Sequence, residues 1–374
     1  MALPLRAIEI ENYRSIRKLH LPVERLTVLV GRNGVGKSNL YRALELLQRA
    51  AAGTITRALV EEGGIESAFW AGKRRDGDLA RIRLRAIFDE LDYAIEIGTP
   101  APIDEAALTA AEPMAKAEEL RSLLGRKPVT LMKRGGPSAW LRDEDGSRQS
   151  YSEALIPSET ALAAFRDQGR FLELELVRRA LTDWRFYHDF RTDRASALRV
   201  PALAITTPTL ASDGSDLAAA LATVRIIRGE APDIEAAIED AFPGARLSFE
   251  FGRGQVALGL RLADLPRTLA VHELSDGTLA YLALVAALTS YRLPGFIALN
   301  EPEASLHPEL IRPLARLIAR AAERTQVWVV THSEPLAAAL AEEGGVRPRT
   351  VIKEEGATWI RGLRRVGTFD DDES

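Results

Sequence analysis

Residues 26–38 read LTVLVGRNGVGKS, and this stretch decides the fold of the chain. Leu26–Val30 is a continuous apolar run, which is typical of a buried strand in a parallel sheet. Residues 31–38 match the pattern G-x-x-x-x-G-K-[ST], in which backbone N–H groups surround phosphate oxygens at the start of a helix. Leucines spaced on one face predict that helix over residues 37–51. The alternative, a Gly-rich surface turn, is disfavoured by the strand and the helix on either side.

A phosphate site of this kind assigns a task to each loop residue. Lys37 would reach the β- and γ-phosphates, and the Ser38 hydroxyl would bind Mg²⁺. The predicted nucleotide contacts in this part of the chain are Gly31, Asn33, Gly34, Gly36, Lys37, Ser38 and Asn39. For Arg14 and Ser15, near the N-terminus, two interpretations stay open: contact with the nucleotide, or a solvated turn.

A second motif, FIALNEPE at residues 296–303, is an apolar strand that ends in polar residues. The first position after the apolar run orients Mg²⁺ through water, and the next can polarise the attacking water. We predict Asn300 as the metal-orienting residue, although its amide brings no negative charge, and Glu301 as the general base. The alternative is a polar cap at the end of a buried strand.

Two further motifs carry candidate phosphate contacts. ELSDGT at residues 273–278 leads into a helix, where Ser275 and the Gly277 amide could form a second anion site. The structural alternative is an ordinary helix start with Ser275 as the N-cap. QVWVVTHS at residues 326–333 is a buried strand that ends in His332, which could hydrogen-bond the γ-phosphate or be purely structural.

Strand and helix patterns alternate in both terminal thirds and predict an α/β fold with a mixed sheet drawn from both ends of the chain. Strand pairs are expected over residues 79–97 and again over 245–251 and 255–260. The Ala/Glu/Leu-rich residues 104–125 are expected to be helical.

Composition excludes several function classes. The chain has 374 residues and no cysteine, which excludes disulfides, a thiol nucleophile and cysteine metal sites. No apolar stretch reaches the roughly 20 residues of a membrane span, and the first residues lack a signal core, so we expect a cytoplasmic protein with no membrane partner. Without the acidic tail at 370–373, Lys/Arg and Asp/Glu are equal, and net charge does not argue for nucleic acid.

The four motifs, in this order, resemble the ATPase heads of the ABC superfamily and, within it, the SMC/RecF branch. IENYRS at residues 10–15 resembles the opening strand and turn of that branch, and NEPEASLHP at 300–308 resembles its joined Walker B and D-loop. RFYHDFR at 185–191 and DGSDLAAAL at 213–221 are similar to patterns of RecF-like bacterial AAA family ATPases.

The resemblance implies a P-loop NTPase with an ABC-type head, which binds ATP and Mg²⁺ and forms an ATP-dependent homodimer. ATP would lie between the phosphate loop of one subunit and Ser275–Gly277 of the other, with Glu301 and His332 as catalytic residues and Ser38 and Asn300 at the metal. The implied lobes are an ATPase lobe at 1–100, a central insertion at 101–262, a second ATPase lobe at 263–369 and an acidic tail at 370–374.

Three functions follow from the resemblance. One is an ATP-hydrolysing dimer in DNA repair or recombination, with DNA as a partner. Another is a slow or non-hydrolysing ATP-gated switch that controls an effector in a defence system. Asn300 favours the switch, as does the lack of a glutamine over residues 63–78, where a Q-loop is expected. The third, a transporter ATPase, is disfavoured by the opening strand and by the EPEASLHP form of the D-loop.

Overall fold

The computed structural model describes residues 3–73, 80–100, 112–167, 169–227 and 232–370. Its strands are β1 (Leu5–Tyr13), β2 (Ile16–Pro22), β3 (Leu26–Val30), β4 (Arg81–Phe88), β5 (Leu91–Gly98), β6 (Met114–Ser122), β7 (Val129–Gly135), β8 (Ser138–Arg142), β9 (Arg148–Tyr151), β10 (Arg185–Tyr187), β11 (Ala202–Leu203), β12 (Arg246–Gly252), β13 (Gln255–Arg261), β14 (Thr268–Ala270), β15 (Phe296–Asn300), β16 (Gln326–Thr331), β17 (Arg349–Glu354) and β18 (Ala357–Ile360).

The described residues also form α-helices. They are α1 (Lys37–Ala52), α2 (Ile55–Glu61), α3 (Ile65–Ala68), α4 (Ala161–Ala164), α5 (Leu172–Asp183), α6 (Leu217–Ile227), α7 (Pro232–Ala241), α8 (Asp276–Thr289), α9 (Ile311–Ala322) and α10 (Glu334–Gly344). Within these described ranges, none of the helices combines the length and the apolar character that crossing a membrane requires.

The chain divides into two compact units. The first unit comprises Met1–Glu24, Gly31–Trp184 and Thr350–Ser374, and the second comprises Arg25–Val30 and Arg185–Arg349. The first unit thus combines residues from both ends of the chain.

The first unit is built around an eight-stranded antiparallel sheet in the order β2-β1-β4-β5-β6-β7-β8-β9. The strand pair expected over residues 79–97 is confirmed as β4 and β5, which meet at Asp89 and Glu90. Helix α1 confirms the helix expected after the phosphate loop, and it buries the predicted face with Leu40, Leu44 and Leu47. It packs against α5 and against strands β1 and β4.

The second unit contains four neighbouring parallel strands in the order β10-β15-β16-β3. All residues of β15 and β16 are buried, as their apolar sequences predict for a sheet covered on both faces. Helix α8 is buried from Leu279 to Thr289. The strand pair expected at 245–251 and 255–260 is confirmed as β12 and β13. The parallel strands therefore end at one edge, where the polar motifs follow them.

The helix expected over residues 104–125 is wrong where the structure describes it, and residues 104–111 of that range lie outside the described residues. Met114–Ser122 is strand β6, paired with β5 on one side and with β7 on the other. Intrinsic helix preference amounts to less than about 1 kcal/mol per residue, and two complete ladders outweigh it. Burial of Met114 and Leu120 adds to the preference for the sheet.

One boundary of the lobes implied by the resemblance, after residue 100, falls between two paired strands of the antiparallel sheet. The antiparallel sheet continues through residue 100, since β5 pairs with β6 on the far side of that boundary. Strands β4 to β9 are successive hydrogen-bonded neighbours in this sheet. The division into two ATPase lobes, a central insertion and an acidic tail stays a prediction about function.

Candidate functional site

The phosphate loop of the first unit depends on glycine at two positions. Gly34 and Gly36 have φ values of 81° and 98°, a region that residues with a Cβ rarely adopt. Gly36 is also closely packed, because a Cβ there would lie 2.5 Å from Ser15 Oγ and still closer to Thr358 Oγ1. The last glycine of the motif is therefore required both by its backbone conformation and by its neighbours.

A hydroxyl pair from the two ends of the chain holds this loop. Thr358 Oγ1 donates to the carbonyl of Val35 at 2.8 Å. The backbone N–H of Thr358 donates to the carbonyl of Ser15 at 2.7 Å. The Ser15 hydroxyl lies 2.6 Å from Thr358 Oγ1 and accepts a hydrogen bond from Asn39 Nδ2 at 2.7 Å. Ser15 is thus linked to the loop through Thr358, and Asn39 links Ser15 to the first turn of α1.

The loop lysine folds back over the loop. Lys37 is buried, and its Nζ donates to the carbonyls of Gly31 at 2.5 Å and Arg32 at 3.2 Å. Asn33 and Ser38 are exposed at the turn and in the first turn of α1. A compact ammonium beside exposed N–H groups at a helix N-terminus is suited to an anion of high charge, such as a polyphosphate.

Arg14 forms an ion pair within the first unit. Its Nη2 donates to Glu62 at 2.6 Å, and Glu62 also accepts from the Tyr13 hydroxyl at 3.1 Å. Arg14 therefore ties the β1–β2 turn to the residue after α2, and its contact with a nucleotide stays a prediction.

In the second unit, three chemically active residues follow β15 and β16. Glu301 comes directly after β15 with a φ of 51°, in the left-handed region, and such strained positions cluster at functional sites. Its carboxylate accepts from His332 Nδ1 and, at 3.0 Å, from the backbone N–H of His332. The predicted general base and the predicted γ-phosphate contact are therefore a hydrogen-bonded pair.

Glu303 is a buried residue close to the Glu301–His332 pair. One carboxylate oxygen accepts from the Thr331 hydroxyl, and burial raises the pKa of Glu303 above its ordinary value. Ligand atoms of Glu301, Glu303 and His332 all lie within 4.8 Å of one another. Glu303 was not among the site residues predicted from the sequence, although it stands two positions after the predicted base.

Asn300 is the last residue of β15 and is 4% exposed. Its Nδ2 lies 2.5 Å from Nδ1 of His188, the residue that follows β10. Among the described residues, its Oδ1 is buried without a hydrogen-bond partner, and so is Oε2 of Glu303. A buried acceptor that has no protein partner points to water or an ion as the missing partner.

These donors fit a magnesium ion. Mg²⁺ prefers oxygen ligands and keeps several of its own waters, which hydroxyl, amide and carboxylate oxygens can bind or accept from. In the second unit, Asn300 and Glu303 offer buried acceptor oxygens of this kind. The exposed Ser38 hydroxyl of the first unit stays a predicted ligand. An imidazole nitrogen suits transition metals better, so we assign His332 to holding Glu301.

The ELSDGT motif at residues 273–278 contains the start of α8 in the second unit. Ser275 is its N-cap and accepts from the Thr278 N–H at 3.1 Å, as the structural alternative had it. A Cβ at Gly277 would lie 2.7 Å from the carbonyl of Ser305, so glycine lets the helix approach the segment that follows Glu301. The start of α8 and the segment around Ser305 are therefore in contact within this unit.

Arg199 secures the same helix start. Its Nη1 donates to the carbonyls of His272 at 3.2 Å and Leu274 at 2.8 Å, and its Nη2 reaches Asp276 at 2.5 Å. Arg199 was not among the site residues predicted from the sequence, because no local pattern links it to a motif more than 70 residues later.

His188 and Thr358 were also missed as site residues. His188 was considered only as part of a partner surface, yet it hydrogen-bonds Asn300. The available signal was its position directly after the short apolar strand β10, next to the strand that carries Asn300. Nothing near Thr358 in the sequence indicates that it contacts the phosphate loop.

Comparison with solved structures shows the fold. An Smc head, crystallised bound to the C-terminal winged-helix domain of ScpA, is 14% identical with a TM-score of 0.53, over 96% of this chain and 97% of that one. The SMC head domain from Thermotoga maritima is also 14% identical, with a TM-score of 0.46, over 97% of this chain and 100% of that one. The chain therefore has the α/β fold of an SMC head, an ABC-type P-loop ATPase fold.

Comparison with sequence families shows membership. No curated protein sequence matches the chain. The family model described as "AAA domain, putative AbiEii toxin, Type IV TA system" matches residues 26–339, which include all four motifs. Since this match spans well over half of the sequence, the chain belongs to that AAA domain family of ATPases.

Proposed function

We propose that the protein binds ATP with Mg²⁺ and hydrolyses it to ADP and phosphate. The observation that carries the proposal is the hydrogen-bonded pair of Glu301 and His332 at the end of the parallel strands. The phosphate loop begins at the residue after β3, a strand of the same parallel set whose Val30 is in register with Thr331. In α/β sheets, ligands bind outside this carboxyl edge.

Each group has a defined task in the reaction. Loop N–H groups, the α1 N-terminus and Lys37 bind the phosphates and stabilise the charge that develops during transfer. Glu301 accepts a proton from the attacking water as the water oxygen bonds to the γ-phosphorus and the bond to the β–γ bridging oxygen breaks. His332 keeps the Glu301 carboxylate in position through two hydrogen bonds. Ser38 would hold Mg²⁺, whose charge would neutralise that of the phosphates.

We also propose that ATP dimerises the protein, with Ser275 and Gly277 of one copy contacting the nucleotide of the other. Support comes from the helix N-terminus of α8, where Ser275 is exposed and the backbone is fixed by Arg199. An exposed helix start that is held rigidly is suited to contact a phosphate on a second copy.

A second candidate is the slow ATP-gated switch. The specific observation in its favour is Asn300, because an amide at this position supplies no negative charge to the metal. The role in DNA repair or recombination rests on the resemblance to the SMC/RecF branch alone, and the balanced charge of the chain weighs against permanent DNA binding.

Phosphate release from ATP tests these proposals. Wild-type protein is compared with Lys37→Ala and Glu301→Gln, with no DNA and with single- or double-stranded DNA at stated salt. Turnover that both variants lose supports the ATPase, and stimulation by DNA supports the repair role. ATP binding with negligible turnover in every condition supports the switch. No ATP binding by the wild type would refute the proposed function.

A further inference from the structure

The register of two parallel strands sets His188 beside Asn300. In the β10–β15 ladder, Tyr187 is paired with Leu299. The next residues along the chain are His188, just after β10, and Asn300, the last residue of β15. The two side chains are 2.5 Å apart between Nδ1 and Nδ2. His188 is exposed and Asn300 is buried, so the contact joins a surface imidazole to an amide inside the sheet edge.

A buried asparagine needs such a partner because its amide is nearly symmetrical in shape. The oxygen and the NH₂ group can exchange places by a half-turn of the side chain, and only hydrogen bonds decide between the two orientations. In the observed orientation the NH₂ group donates to His188 Nδ1. Oδ1 is then the remaining acceptor, and it is buried without a partner among the described residues.

The same contact decides the tautomer of the histidine. A nitrogen that accepts the amide hydrogen carries no proton of its own, so in neutral His188 the proton is on Nε2. The pair is therefore a polarity lock, in which the imidazole accepts at Nδ1 and the asparagine presents its oxygen.

We propose that His188 is a positioning residue that holds the Asn300 amide with Oδ1 ready to accept from the hydration water of the nucleotide's Mg²⁺. This inference rests on the proposed ATPase function. It explains how asparagine serves where a carboxylate is usual in the ABC superfamily. A carboxylate has two equivalent acceptor oxygens and needs no lock.

A divalent-ion titration tests the lock. Mn²⁺ is the probe, detected by electron paramagnetic resonance in the presence of ADP, and the variants are His188→Ala, His188→Gln, Asn300→Asp and the double variant His188→Ala/Asn300→Asp. We expect His188→Ala to weaken Mn²⁺ affinity about tenfold, as removal of a supporting hydrogen bond does at metal sites. ADP affinity in EDTA should not change. His272→Ala, which removes another exposed imidazole, is the matched control.

Rescue and coupling separate this role from a structural one. His188→Gln keeps an acceptor for the amide and should restore most of the affinity. On the Asn300→Asp background, His188→Ala should have no further effect. An equal loss on both backgrounds, or no rescue by glutamine, would overturn the proposal.

The tautomer can be measured without nucleotide or metal. Labelling with ¹⁵N-histidine gives signals from only five residues, and His188 is assigned with His188→Gln. We expect the Nε2–H tautomer in the wild type and Nδ1–H in Asn300→Asp, because a carboxylate can only accept. Nδ1–H in the wild type would refute the lock whether or not the protein is an ATPase. The expected tautomer with no Mn²⁺–ADP binding would refute the ATPase proposal and the metal role, and leave only the hydrogen bond.

Discussion

Thr358 and Val35 are 323 positions apart in the sequence, and the hydroxyl of one donates to the carbonyl of the other at 2.8 Å. The acceptor is inside the phosphate loop, two residues before Lys37. The donor is on the C-terminal hairpin of β17 and β18, and the same residue also bonds to Ser15. The shape of the loop is therefore maintained by residues outside the nucleotide motif.

Replacement of Thr358 by valine should weaken ATP binding. The change keeps the shape of the side chain and removes a hydrogen bond worth about 0.5–1.5 kcal/mol, so we expect an affinity loss of roughly 2- to 13-fold. Fluorescent ATP titration measures it. Thr209→Val, which removes a similar hydroxyl bond to the Arg292 carbonyl, should leave affinity unchanged. Equal affinities for wild type and Thr358→Val would contradict the role of the hydroxyl.

Two glycine variants of the loop should differ sharply. Both Gly34 and Gly36 have positive φ, but a Cβ at Gly34 meets no atom within 4 Å, whereas one at Gly36 overlaps Ser15 and Thr358. Gly34→Ala should therefore cost only the left-handed strain of about 1–2 kcal/mol. Gly36→Ala should abolish detectable ATP binding while the protein still unfolds cooperatively. Comparable binding by the two variants would show that the packing does not matter.

Glu301→Gln should bind ATP without hydrolysing it and accumulate as a dimer. Loss of a general base typically lowers the rate 10²- to 10⁴-fold, and glutamine keeps the size of the side chain. Light scattering with ATP and Mg²⁺ reports the mass. Glu309→Gln, which changes an exposed carboxylate nearby in the sequence, is the control. A Glu301→Gln protein that stays monomeric with ATP would count against the shared site.

Arg199→Ala should impair dimerisation more than nucleotide binding. The guanidinium joins two carbonyls and Asp276 at the start of α8, so its loss frees the helix end that contains Ser275 and Gly277. We expect ATP affinity of the monomer within about twofold of wild type and at least a tenfold weaker ATP-dependent dimer, by sedimentation. Arg191→Ala, in an exposed pair with Asp193, serves for comparison. Unchanged dimerisation would refute this role.

The first unit should lose stability in acid through Glu9. Hydrogen bonds from His20 and then Arg85 lower the pKa of Glu9 from 4.5 to about 2. A lowered carboxyl pKa stabilises the fold above pH 4.5, and this contribution is lost as pH falls toward 2. Glu9→Gln should therefore be less stable than wild type at pH 6, with a gap that narrows below pH 4.5 in urea unfolding. Glu11→Gln, beside exposed Lys18, is the control. A gap independent of pH would exclude this cause.

Local sequence patterns predicted the parallel strands and the chemistry that follows them. The apolar runs of β3, β15 and β16 identify buried strands, and parallel strands bring Asn300, Glu301 and His332 to one edge. The strand at Met114–Ser122 could not be predicted from its helix-favouring residues, because its ladders with β5 and β7 decide its conformation.

The residues that support the site were beyond local patterns. His188 is 112 residues from Asn300, and Arg199 is 77 residues from Asp276, so no periodicity or spacing links them. Each was identified only from its hydrogen bond in the folded chain. Sequence motifs marked the groups for which we propose contact with a nucleotide, while the groups that hold them in position followed from the topology.

The hydroxyl bond from Thr358 to Val35 has a consequence for the order of synthesis. A ribosome makes the phosphate loop more than 300 residues before it makes the residue that holds it. Any nascent chain shorter than 358 residues has the nucleotide motif without its support. The loop thereby lacks this hydrogen bond until residue 358 has been made, and fusions that displace the β17–β18 hairpin should disturb a loop more than 300 residues away.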